Sequence, residues 1–153
     1  MLRFFAVLLT GLALIAPGAH LYKIVNKMSL SESEYFVVQK IYIGWWIAGL
    51  LLPLALIANL VLAYSEKNLL ALGAAVLILT NLAIFYFFTH PVNVATQNWT
   101  LMPDNWEALR KQWEYSHAVN SGVTLSAFCL SILAALKWPF PFGQRLRQES
   151  SPH

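Results

Sequence analysis

The chain has 153 residues, of which 58% are hydrophobic and 11% charged, and its mean hydropathy of +0.57 is too high for an ordinary soluble domain. A net charge of +3 calls for no nucleic-acid partner, because basic ends beside an anionic membrane surface account for it. The single cysteine, Cys129, excludes both an internal disulfide and a dithiol mechanism.

The apolar residues fall into four segments, about 2–19, 43–64, 69–88 and 118–136. Each has the roughly 20 residues that a helix rising about 1.5 Å per residue needs to cross about 30 Å of hydrocarbon. The expected fold is therefore all-α: an integral membrane four-helix bundle over 1–138, followed by a basic, mostly disordered tail over 139–153. In the first segment, Arg3, the apolar run from Phe4 to Ala16 and the small residues of "APGAH" also suit a signal peptide. We read it as a retained helix, kinked or loosened near Pro17 and Gly18.

Helix two is expected to start near Glu32, because Ser31 followed three residues later by Glu34 makes a capping box. Running unbroken to about Tyr64, it would be roughly 33 residues and about 50 Å long. The "SEKN" turn, Ser65 to Asn68, joins it to helix three and leaves no room for a site. Helix four is expected to start near Asn105, with Asp104 as its cap and Glu107 at the positive end of the helix dipole. Helices two and four thus overshoot the bilayer on the same side. The connections 24–42 and 90–117 are expected to form a structured cap there.

Lysine and arginine divide evenly between the two sides, with Arg3, Lys67, Lys137, Arg145 and Arg147 opposite Lys23, Lys27, Lys40, Arg110 and Lys111. The basic tail "KWPFPFGQRLRQ" decides the expected orientation: a multi-pass protein of a bacterial inner membrane with both termini cytoplasmic. A channel or transporter is disfavoured, because no acidic residue lies within the four segments and so short a bundle leaves little pore.

Along helix four, Arg110, Trp113, His117, Asn120 or Ser121, Thr124, Phe128 and Ser131 recur at helical spacing and share one face. Such a polar stripe turns inward in a membrane, and Thr124 and Ser131 on it read as interhelical hydrogen-bonding residues. His20, His90 and His117 fall at one depth on the cap side. Zinc, copper or iron uses imidazoles of this kind, but no HxxxH or ExxH pair brings two together by spacing, and no metal is expected. His117 reads as a general base at a pocket mouth. Glu114 is placed to orient its ring or to pair with Lys111 or Arg110. On helix two, Tyr35, Gln39, Tyr42 and Trp46 recur at helical spacing, while Trp45 and Trp46 also suit an interfacial aromatic belt.

The stretches "AHLYKIVNKMSLSESEYFVVQKIYIGW" (19–45) and "PVNVATQNWTLMPDNWEALRKQWEYSHAVNSG" (91–122) resemble the two signature regions of a family of small four-helix membrane proteins that includes the fungal anthrone oxygenases. The resemblance rests on His20-Leu21, the Tyr35, Gln39, Tyr42, Gly44, Trp45 series, Pro91-Val92-Asn93, and the Arg110, Trp113, His117 series. It departs at Asn120, where many relatives carry an arginine. The resemblance implies cofactor-free oxygenation of a planar phenolic ring system. His117 would be the base, Arg110 and Asn93 would stabilise the anion, and Trp113 and Tyr42 would form the aromatic slot; Gln39, Trp45, Asn120, His20 and His90 join them as candidate substrate-binding residues. The alternative is a non-catalytic membrane module binding a lipid, a quinone or a partner helix. Expected partners are membrane lipid and a small apolar or aromatic ligand, with self-association left open.

Overall fold

A computed structural model describes residues 1–137, so the expected disordered tail lies outside the described residues. Among the described residues, four stretches are long and apolar enough to span a membrane: Leu2–Met28, Trp46–Glu66, Leu69–Ala95 and Trp106–Ala135. The chain is a multi-pass, all-α integral membrane protein. Its elements are α1 (Leu2–Met28), α2 (Glu32–Gln39) continued by a 3-10 turn (Lys40–Tyr42), α3 (Trp46–Gly49), α4 (Leu51–Glu66), α5 (Leu69–Ile84), a π turn (Phe85–Thr89), α6 (His90–Ala95) and α7 (Trp106–Ala135). The long helices pack cyclically, α1 on α4, α4 on α5, α5 on α7 and α7 on α1.

The bundle is assembled from small residues inside and large ones outside. Ala6, Ala55, Ala71, Ala74, Ala127 and Ala134 are buried, whereas Leu8, Ile57, Leu79 and Leu125 are exposed. That is the arrangement membrane helices need, because lipid tails are as apolar as leucine and close backbone approach drives their association. Polar side chains supply the rest. Asn59 donates to Thr10 Oγ1 at 3.0 Å and accepts from the Ser131 hydroxyl at 2.9 Å, tying α4 to α1 and α7. Asn81 on α5 donates to Thr124 Oγ1 at 2.5 Å. Thr124 and Ser131 are the interhelical bonding residues that their spacing suggested.

Proline and glycine set the departures from the expected elements. α1 does not end near Pro17 but continues to Met28. Pro17 is buried within the bundle, so neighbouring helices support the turn it weakens. Helix two, expected unbroken from Glu32 to Tyr64, is interrupted twice. Gly44 adopts φ +89°, a left-handed conformation that ends the 3-10 turn. Pro53 has no N–H to offer the Gly49 carbonyl, and α3 gives way to α4 at Leu50. Pro91 has the same effect on helix three. The helix passes it through a π turn, in which the His90 N–H reaches back to the Phe85 carbonyl, and runs on to Ala95. Beside it, the Phe88 carbonyl accepts from Gln112 Nε2 at 2.8 Å, tying this stretch to α7.

Both helix starts fall where expected, to within a residue. Glu34 accepts from the Ser31 N–H at 2.9 Å, and the Ser31 hydroxyl and N–H together hold the Glu34 carboxyl below the usual carboxylate range. Asp104 makes no cap. The first turn of α7 instead bonds through the backbone, with the Ala108 and Leu109 N–H groups on the Asn105 carbonyl.

Candidate functional site

α1 and α7 bring the site together. His20 and Lys27 lie seven residues apart on α1, while Arg110, Trp113, Glu114 and His117 share one face of α7. His20 is seventeen residues beyond Arg3, roughly 25 Å along the helix at 1.5 Å per residue, which puts it near the far edge of the hydrocarbon. Lys27 lies about 10 Å further out by the same rise.

The inner layer is a pair of imidazoles. His20 and His117 stack with ring centroids 4.2 Å apart and planes 21° apart. Trp113 stands edge-on to both, at 4.8 Å and 4.3 Å. Tyr42 lies 4.4 Å from His20, and Trp45 lies 5.8 Å from it. His20 is only 4% exposed, yet among the described residues its Nδ1 has no hydrogen-bond partner, and neither has the Tyr42 hydroxyl. An unpartnered ring nitrogen and an unpartnered phenol thus belong to neighbouring rings in an aromatic enclosure. Burial pushes the Tyr42 hydroxyl up to about 12, with the Glu114 charge adding to the shift, so it is a donor at neutral pH.

The outer layer is a closed polar ring. Lys27 Nζ meets Glu114 Oε1 at 2.5 Å, with the two side chains 3% and 0% exposed. Tyr35 donates to the same oxygen at 2.8 Å, Gln39 Nε2 donates to the Tyr35 hydroxyl at 2.7 Å, and Lys27 donates to Gln39 Oε1 at 3.2 Å. The Lys27 ammonium also lies over the rings of Trp113 and Tyr42, at 4.5 Å and 4.7 Å. Burial, reinforced by Glu114, keeps the Tyr35 phenol far above its ordinary range. Trp99 closes the layer from the loop after α6, packing edge-on against Tyr35 and Trp113.

The other proposed site residues are placed differently. Arg110 Nη1 donates to the Leu30 carbonyl at 2.8 Å and its guanidinium lies over Trp106, about two helical turns from His117. Asn93 Oδ1 accepts from Trp113 Nε1 at 2.8 Å and so fixes the indole that flanks the imidazoles. Asn120 is buried one helical turn beyond His117, and its Oδ1 has no partner among the described residues. His90 is exposed and stacked on Tyr86, so it does not join His20 and His117. The π turn alters the helical register between Phe85 and His90. Among the described residues, no three His, Cys, Asp or Glu side chains converge to hold a metal ion. Glu114 neither orients His117 nor pairs with Lys111 or Arg110; its partner is Lys27. Trp46 is 72% exposed, because the Gly44 break rotates it away and brings Trp45 to the site instead.

Comparison with family models, with curated proteins and with solved structures finds no match to this chain.

Proposed function

We propose that the chain is a membrane-embedded, cofactor-free oxygenase of a planar phenolic ring system such as an anthrone. The observation that supports it is the stacked His20–His117 pair, enclosed by Tyr42, Trp45 and Trp113, beside an unpartnered Nδ1 and an unpartnered phenol. The imidazole pair removes a proton from the ring carbon. Only one of the two rings carries it, since two stacked cations repel. The delocalised carbanion reduces dioxygen, a carbon-bound hydroperoxide forms, and loss of water leaves the quinone carbonyl, so one dioxygen yields one quinone and one water. The Tyr42 hydroxyl donates to the developing phenolate oxygen. Arg110 and Asn93, occupied by Leu30 and Trp113, act as positioning residues in this scheme.

Purified protein in detergent, given a hydroxyanthrone and air, should consume one dioxygen per quinone formed. His117→Ala should lower the rate by about 100-fold or more. Wild-type oxygen uptake no faster than autoxidation in buffer would sink the proposal. The closed ring of Lys27, Glu114, Tyr35 and Gln39 favours a second reading, a module that binds a quinone or lipid without turning it over. Saturable binding without turnover would select it. We also place both termini in the cytoplasm, because the tail carries Arg145 and Arg147 with no acid until Glu149. Labelling a Lys67→Cys, Cys129→Ser variant from the outside of intact cells would overturn that orientation.

A further inference from the structure

We infer that the apolar groove beside Trp45 is a lateral entrance by which a flat, apolar fused-ring phenol passes from the bilayer to the imidazole pair, with Trp45 as its gate. The groove, about 380 Å³, is lined by Leu12, Ala16, Gly44, Trp45, Ala48 and Leu51 among others, within the range of small-molecule pockets. It runs along α1 toward the cap. Ala16 is one helical turn before His20, and Trp45 both lines the groove and meets His20 at 5.8 Å and Tyr42 at 5.0 Å. Behind that indole lie the two unpartnered polar groups, His20 Nδ1 and the Tyr42 hydroxyl. One side chain therefore separates an apolar channel from buried, unused hydrogen-bonding capacity.

Three features favour a flat ring over a lipid chain. The lining brings the small side chains of Ala16 and Ala48 together with Gly44, where no atom lies within 4 Å of an added Cβ, so the groove is open enough there for a rigid ring. The backbone is non-helical at Ile43 to Trp45, and irregular backbone at membrane depth is tolerated where it is packed in protein or lines a cavity. Trp45 is 38% exposed and sits between the Gly44 break and the four-residue α3, so a local backbone change can move it. The inference rests on the site being a substrate pocket and adds the route into it.

The test uses the full chain in phosphatidylcholine nanodiscs and a hydroxyanthraquinone, which is flat but cannot be oxygenated, with binding followed by the probe's own fluorescence. Trp45→Ala should speed association several-fold. Ala16→Trp and Ala48→Trp, on facing walls, should each slow it more than tenfold while keeping wild-type helical content. Leu8→Trp fills a separate groove near Phe4 and Phe128 and should associate like wild type. If both wall variants bind as fast as wild type, access is from the cap, acyl chains fill the groove, and the entrance is refuted while the oxygenase assay stands. A changed oligomeric state in Ala16→Trp would assign the groove to a second copy and refute it too. Wild-type protein that binds no probe would overturn the substrate pocket and its entrance together.

Discussion

Lys27 near the end of α1 and Glu114 on α7 form a buried ion pair, and the pair bolts α1 to α7. Breaking such a pair by removing one member is costly, because the other charge stays buried and uncompensated. Lys27→Met or Glu114→Leu alone should destabilise the protein by about 3–5 kcal/mol. The double substitution should recover most of that loss. Reversible unfolding in mixed micelles measures both; a double variant no more stable than the singles would mean that the surrounding aromatic contacts, not the charges, hold the cap together.

Ser131 and His117 lie on one face of α7 but answer to different demands. Ser131→Ala leaves Asn59 Oδ1 without its donor and should cost about 1 kcal/mol of stability while turnover is kept. His117→Ala should do the reverse, losing turnover with little change in unfolding. Full activity in His117→Ala together with an inactive Ser131→Ala would move the site deeper into the bundle.

The two cap phenols set an alkaline limit. Burial raises Tyr42 to about 12 and Tyr35 further still, whereas both titrate near 10 in the unfolded chain. Between about pH 10 and 12 the unfolded state therefore binds fewer protons than the folded one, and stability falls as pH rises. Denaturation profiles should be flat below pH 9 and decline above pH 10. The decline should be shallower in the Tyr35→Phe, Tyr42→Phe double variant; an unchanged slope would show that other groups govern the alkaline limb.

Gly44 and Gly18 respond oppositely to alanine although neither has an atom within 4 Å of an added Cβ. Gly44→Ala meets only the backbone cost of its positive φ, about 1–2 kcal/mol. Gly18→Ala lies within α1 and should stabilise by about 0.5–1 kcal/mol. Equal effects of the two substitutions on the unfolding midpoint would contradict the left-handed turn.

The four apolar segments, the Ser31–Glu34 helix start and the inward stripe of α7 could be read from the chain, because each is a local pattern of spacing and residue type. Lys27 could not. Pro17 and Gly18 suggested an early end to the first helix, and a lysine thought to lie in a loop carries no register. Had α1 been extended, the seven-residue interval from His20 would have placed Lys27 on the same face. The break at Gly44 was obscured for the opposite reason: Tyr35, Gln39, Tyr42 and Trp46 keep helical spacing straight across it, so periodicity chose Trp46 where the folded backbone brings in Trp45. His90 was grouped with His20 and His117 by depth alone, and depth says nothing of direction around a helix, which here turns His90 outward against Tyr86.

Gln97, Asn98 and Trp99 all have positive φ, at 48°, 56° and 64°, so the chain winds left-handed for three residues between right-handed helices. Each such residue costs about 1–2 kcal/mol, and Trp99 is held there by edge-on packing against Tyr35, Phe36 and Trp113, which come from two other elements. The turn therefore cannot persist before those partners arrive. The cap is expected to lock last, once α2 and α7 are both in place. In the finished protein the same order runs backwards: amide exchange should begin at this turn and expose the imidazole pair while the buried core of the bundle is still closed.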